Sequence, residues 1–128
     1  MGQVLLVDDT AFIRMSLTSI LTEAGHEVVG EANDGLEAIQ QYKKLMPDLV
    51  IMDITMPVMN GIESLKEIIT FDSDAQIIMC SAMNQQKVVV EAIESGAKDF
   101  LVKPFNENCV LETLNRVLHI NHNSFKSN

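Results

Sequence analysis

Residues Leu49 to Gly61 read LVIMDITMPVMNG. The four consecutive apolar residues Leu49–Met52 are too few for a helix and lie between Pro47-Asp48 and Pro57, so they predict a short strand buried on both faces. Asp53 stands at its carboxyl end. In open parallel α/β sheets ligands bind outside the carboxyl ends of the strands, which makes Asp53 the first candidate site residue.

The flanking sequence supplies the other elements of such a sheet. Val4–Val7 (VLLV) predicts a first buried strand ending in Asp8-Asp9. Ile13, Leu17, Ile20, Leu21 and Ala24 then step by three or four along a helix from Thr10, with Gly25 as a left-handed cap. Glu27–Ala32 is less apolar and reads as an edge strand. Asp34 with Glu37, and Asn60 with Glu63, have capping-box spacing and predict helices closed by Pro47 and by the polar residues 71–75. The second of these carries Ile62, Leu65, Ile68 and Ile69 on one side.

Gln76–Cys80 predicts a fourth strand with Ser81-Ala82 as its exit. Asn84 is placed to cap a fourth helix that buries Val89, Ala92 and Ile93 and ends at Gly96. Phe100–Val102 predicts a fifth strand before Lys103-Pro104, and a fifth helix is expected from near Asn106 to about His119. Residues 1–119 thus read as one domain, with a frayed polar tail at 120–128. Strand and helix alternate five times, which predicts an α/β fold: a doubly wound, five-stranded parallel sheet with right-handed crossovers and helices on both faces.

Composition narrows the function. Eighteen acids against nine bases give a net charge of −9, and no basic cluster exceeds Lys43-Lys44, which disfavours nucleic acid as a partner. No apolar run approaches the roughly 20 residues of a membrane span, and no charged signal start precedes the first strand. A soluble, cytoplasmic protein is expected, monomeric and without a membrane partner. Cys80 and Cys109 lack C-x-x-C spacing and read as reduced thiols with no disulfide.

Each predicted buried strand hands over to a polar group at one edge of the sheet: Asp8-Asp9, Asp53, Ser81 and Lys103. Taken singly, Asp8 or Asp9 reads as a helix cap, Ser81 as a strand terminator and Lys103 as a solvated loop residue. Together they predict one crevice. Three carboxylates within about 4 Å would repel by roughly 4 kcal/mol per pair at an effective dielectric near 20, so such a group takes up a proton or binds a cation. Oxygen-only donors favour Mg²⁺ or Ca²⁺, and Mg²⁺ leaves room for a phosphate oxygen. Three negative charges balance Mg²⁺ and the Lys103 ammonium. The arrangement suits phosphoryl transfer, with Asp53 as nucleophile and Lys103 and Ser81 on the phosphoryl oxygens.

VDD after the first strand, MDITMPVMNG around Asp53, CSA at Ser81 and GAKDFLVKPF from Gly96 to Phe105 resemble the receiver domain of bacterial two-component response regulators. The resemblance covers residues 3 to about 119 and extends to the chemotaxis members of that family. It implies the flavodoxin-like strand order 2-1-3-4-5 and a stand-alone regulator. It further implies that Asp53 accepts a phosphoryl group from a sensor histidine kinase. Asp9 and Asp53 would coordinate Mg²⁺ directly, Asp8 would act largely through water, and the Thr55 backbone carbonyl would complete the protein ligands. Ser81 would be the switch hydroxyl, Phe100 the switch aromatic and Lys103 the partner of the phosphoryl group, with a cis bond to Pro104. Some members carry an amide at the position of Thr55 and an acid at that of Met83, so a dephosphorylation rate does not transfer.

The resemblance implies a signalling switch rather than an enzyme, with a flagellar motor switch protein as output partner and a phosphatase as a further partner. A phosphorelay carrier and a receiver domain of a larger transcription regulator are the alternatives within the fold. A Mg²⁺-dependent phosphatase using Asp53 on outside substrates is the enzymatic alternative; it would need a substrate-covering cap, for which this chain has no spare length.

Overall fold

The computed structural model describes residues 2–82 and 85–126, the last eight of these as helix only. Among them, five strands and five helices alternate: β1 (Gln3–Val7), α1 (Ala11–Glu23), β2 (Glu27–Ala32), α2 (Gly35–Leu45), β3 (Leu49–Asp53), α3 (Gly61–Phe71), β4 (Ile77–Ala82), α4 (Gln86–Glu94), β5 (Asp99–Lys103) and α5 (Glu107–Lys126). The strands form one parallel sheet in the order β2-β1-β3-β4-β5. The chain leaves β1 first toward β2 and then returns past it to β3, so the order reverses between β1 and β3. That is where an open α/β sheet leaves a crevice at its carboxyl edge.

Two hydrophobic cores follow from the alternation of side chains along the strands. Leu5, Val7, Val50, Met52, Ile77 and Met79 face α2, α3 and α4 through Ala38, Tyr42, Ile62, Leu65, Ile68 and Ala92. Val4, Leu6, Leu49, Ile51, Ile78 and Cys80 face α1 and α5 through Leu17, Leu21, Val110, Leu114 and Val117. Every residue of β3 is buried, as its unbroken apolar run predicts. No helix among the described residues is long and apolar enough to cross a membrane.

The helix ends follow local chemistry. Asn60 and Glu63 form a full capping box on α3: Asn60 Oδ1 accepts from the Glu63 N–H at 2.9 Å, and Glu63 Oε1 accepts from the Asn60 N–H at 3.3 Å. On α2 the box is displaced. Asp34 accepts from the Glu37 N–H, but the Glu37 carboxylate reaches back to the N–H of Asn33. Gly25 and Gly96 follow α1 and α4 with positive φ of 90° and 119°, the conformation that favours glycine after a helix.

Several sequence expectations need correction. β4 runs to Ala82, so Ser81 belongs to the strand and not to its exit. β5 spans Asp99–Lys103 at the sheet edge and buries only Leu101, because nothing pairs beyond it; Phe100 is 40% exposed. Ile93 is exposed because α4 turns Ala92, not Ile93, onto the sheet. The N-cap of α4 is Gln85, while Asn84 lies outside the described residues. α5 continues past His119 to Lys126, since Ile120–Lys126 holds neither glycine nor proline to break the ladder. Cys80 is buried and Cys109 exposed, and both are free.

α3 begins against the end of β3. The Gly61 N–H donates to the Ile54 carbonyl at 2.7 Å, so the chain doubles back tightly. A Cβ on Gly61 would clash with the Asp53 carbonyl oxygen and stand 2.9 Å from Ile54 Cα, both backbone atoms that cannot yield. Gly61→Ala is expected to destabilise the fold by about 2–3 kcal/mol and lower the urea midpoint by about 1–2 M, as read by equilibrium unfolding.

Candidate functional site

Four side chains meet at the carboxyl edge of the sheet beside the β1/β3 reversal. Asp8 and Asp9 follow β1, Asp53 is the last residue of β3, and Lys103 is the last of β5. A carboxylate oxygen from each of Asp8, Asp9 and Asp53 lies within 4.8 Å of the other two. Asp8 and Asp53 are buried, at 2% and 8% exposure, whereas Asp9 faces solvent. Lys103 Nζ stands 2.9 Å from Asp8 Oδ2 and 3.3 Å from Asp53 Oδ2, so one ammonium bridges two buried acids.

Local structure aims these groups. The Asp8 N–H donates to the Ala32 carbonyl on β2 at 3.1 Å, and Arg14 donates to the Asp8 carbonyl while pairing with Glu31 at 2.8 Å. The β1 end is thereby held from two sides. Asp8 Oδ1 accepts from the Thr10 N–H at 2.9 Å, an Asx turn ahead of α1. That helix has no side-chain cap, so the capping explanation for Asp8 and Asp9 does not hold. The Lys103-Pro104 bond is cis, as the resemblance implied.

The charges do not cancel. Burial raises the Asp53 pKa above the usual 3.8, Asp8 and Asp9 push it further, and Lys103 pulls it back without prevailing. Lys103 itself loses by burial, but its bonds to Asp8 and Asp53 outweigh that loss and raise its pKa. The ammonium is firmly protonated. Three carboxylates and one ammonium leave a deficit of two positive charges, the charge of one divalent cation. The donors are all oxygen and carry the charge that Mg²⁺ takes, so this set fits a hard cation.

The remaining predicted residues are placed less uniformly. Ser81, on β4, is 1% exposed, and its Oγ has no hydrogen-bond partner among the described residues. A buried hydroxyl left unpaired costs about 1–3 kcal/mol, which makes it a group awaiting an acceptor. Thr55 is exposed two residues beyond Asp53, and its hydroxyl accepts from Gln85 Nε2 at 3.2 Å. Phe100 is on β5 and opens onto a cavity of about 490 Å³ lined also by Ser81, Val89, Val90 and Val102. Met83 lies outside the described residues.

Two contributors escaped the sequence reading. Arg14 is a lone cation inside a helix pattern, and only the fold puts it against the Asp8 carbonyl. Gln85 is a polar residue near a helix start, with no sequence signal for its reach to Thr55.

Comparison with known proteins gives a consistent result. The family described as the response regulator receiver domain matches residues 4–115. The chemotaxis protein CheY of Thermotoga maritima is 60% identical over 115 residues, covering 90% of this chain and 96% of that protein. Protein CcdB of Bacillus subtilis is 58% identical, covering 92% and 98%. Among solved structures, the CheX–CheY–BeF3–Mg complex of Borrelia burgdorferi contains a chain with a TM-score of 0.88 and 41% identity, covering 91% of this chain and 88% of that one.

Because burial and like charge raise the Asp53 pKa, the folded state binds a proton there more tightly than the unfolded chain. This group therefore favours folding at low pH, and its contribution is lost as pH rises through 3.8 and then through the raised folded value. Asp53→Asn is expected to raise the melting temperature in EDTA at pH 7 by roughly 3–6 °C, equivalent to about 1 kcal/mol for a chain of this size. The gain should shrink as pH falls toward 3.8, as thermal unfolding against pH will show.

Proposed function

Because this chain belongs to the response regulator receiver domain family, we propose that it is a chemotaxis response regulator switched by phosphorylation of Asp53. The observation that carries this reading is the cluster of Asp8, Asp9 and Asp53 with Lys103 across it, together with the unpartnered buried hydroxyl of Ser81, the residue after Cys80, which pairs with Asp53 in register. An Asp53 carboxylate oxygen attacks the phosphorus of a phosphohistidine on a sensor kinase. The phosphorus–nitrogen bond breaks, its electron pair returns to the imidazole, and an acyl phosphate remains on Asp53.

Each neighbouring group has one task. Lys103 gives up part of its contact with Asp53 and donates to a phosphoryl oxygen, and the Ser81 hydroxyl gains the acceptor it lacks. Asp8, Asp9, Asp53 and the Thr55 backbone carbonyl are the groups that would hold Mg²⁺; bound there, it would neutralise charge on the transferring phosphoryl group. On this reading the phosphoryl group goes to the protein's own aspartate, and the molecule acts as a switch rather than as an enzyme on outside substrates.

The partners follow from that role: a histidine kinase as donor, a flagellar motor switch protein as target and a phosphatase to reset the switch, all in the cytoplasm. The 58% identity to a Bacillus protein of a different name supports keeping a second reading, a carrier or receiver serving another pathway. Binding to a motor-switch peptide only after activation separates the two.

Intact mass after incubation with acetyl phosphate tests the chemistry. A gain of one phosphoryl group is expected with Mg²⁺, none in EDTA and none in Asp53→Asn; no gain in the folded native protein would refute the site. The energetics of switching give a further expectation. Phosphorylation adds about 1.5–2 negative charges, and two charge-assisted bonds from Ser81 and Lys103 contribute roughly 3–6 kcal/mol before reorganisation. Moving an equilibrium from 1:99 to 99:1 takes about 5.5 kcal/mol. Activation without a partner should therefore be incomplete, visible as two exchanging populations in NMR spectra of the activated protein.

A further inference from the structure

The hydrogen-bond ladder between β3 and β4 stops one step short of what the register allows. Asp53 pairs with Cys80, and the Ile54 N–H donates to the Cys80 carbonyl at 3.0 Å. In a parallel ladder the Ile54 carbonyl would next accept from the Ala82 N–H. That carbonyl is taken by the Gly61 N–H at 2.7 Å, because the chain doubles back into α3. The Ala82 N–H is thus released from the sheet. It still faces β3, since it lies two residues beyond the Cys80 carbonyl on the same side of the strand.

The released donor is not free. Gln85 Oε1 accepts from it at 2.9 Å, while Gln85 Nε2 donates to the Thr55 hydroxyl at 3.2 Å. One side-chain amide therefore ties the end of β4 to the segment just after Asp53. Beside it, Ser81 Oγ is buried without a partner. Two donors at the end of β4 thus follow Cys80, the register partner of Asp53, one without an acceptor and one covered by Gln85.

We propose that Gln85 is a gate on the Asp53 site: its amide covers the Ala82 N–H and must leave before that N–H can bind an oxyanion carried on Asp53. The proposal rests on Asp53 being the phosphoacceptor, and makes Gln85 a positioning residue that acts through Ala82 and Thr55. The gate opposes phosphorylation by the strength of the bonds it must break. It also couples occupancy of the site to the start of α4, because Gln85 is the N-cap of that helix. Gln85 and Phe100 line the same cavity, so a displaced Gln85 changes the surface that α4 and β5 offer.

The test uses beryllium fluoride with Mg²⁺ as a phosphoryl mimic, titrated into the native full chain, Gln85→Ala and Gln85→Met, with Mg²⁺ alone titrated in parallel. Met keeps the length of the side chain and removes both hydrogen bonds. Both variants are expected to bind beryllium fluoride about three- to tenfold more tightly, as fits one or two neutral hydrogen bonds removed from the free state. Affinity for Mg²⁺ alone, which Gln85 reaches only through Thr55, should change by less than the gain for beryllium fluoride, whereas a general loosening of the site would move both alike. Tightening in Gln85→Ala alone overturns the hydrogen-bond gate, because bulk would then be the obstacle. Native binding with no gain in either variant, or an equal gain for Mg²⁺ alone, overturns the gate and leaves the phosphoacceptor reading standing. Failure of the native protein to bind beryllium fluoride overturns both.

Discussion

The Lys103 ammonium, 2.9 Å from Asp8 and 3.3 Å from Asp53, is the contact on which the carboxyl edge of this sheet depends. Two of the three acids beside it are buried, and burial alone is unfavourable to their charged forms. One cation reduces that cost without removing it. The residual charge sets what the site can accommodate: three carboxylates facing one ammonium match a divalent cation in charge and in donor type.

This electrostatic tension is sustained by ordinary packing. β3 is buried at every residue and lies between two cores, so Asp53 is carried to the edge on the one strand of the sheet that is buried throughout. β5, by contrast, is an edge strand with Phe100 and Val102 toward solvent. Asp53 thus sits on a fully packed strand, and a half-exposed strand lies at the sheet edge two strands away. The open cavity between α4 and β5 is where packing has been left incomplete.

A third layer is the competition for backbone groups at the sheet edge. The Ile54 carbonyl can serve the ladder or the turn into α3, and the tight return through Gly61 takes it. The Ala82 N–H is left over, and the Gln85 amide covers it. A small conflict in hydrogen bonding thus releases one backbone donor from the ladder two residues beyond Cys80, the register partner of Asp53.

Much of this was legible from residues alone. The apolar runs at Val4–Val7 and Leu49–Met52 are too short for helices and too apolar for exposed strands, which left buried parallel strands and a common edge for Asp8, Asp9, Asp53 and Lys103. Capping at Asn60 and the glycine after α4 were readable because they are set by contacts within a few residues. The full extent of β4, the edge position of β5, the exposure of Ile93 and the reach of Arg14 and Gln85 were not. Strand ends depend on which neighbour offers a partner, and a long polar side chain has many targets in sequence but one in space. Local periodicity therefore determined the fold and the identity of the acids, whereas only tertiary structure decided which hydrogen-bond donors remained available to them.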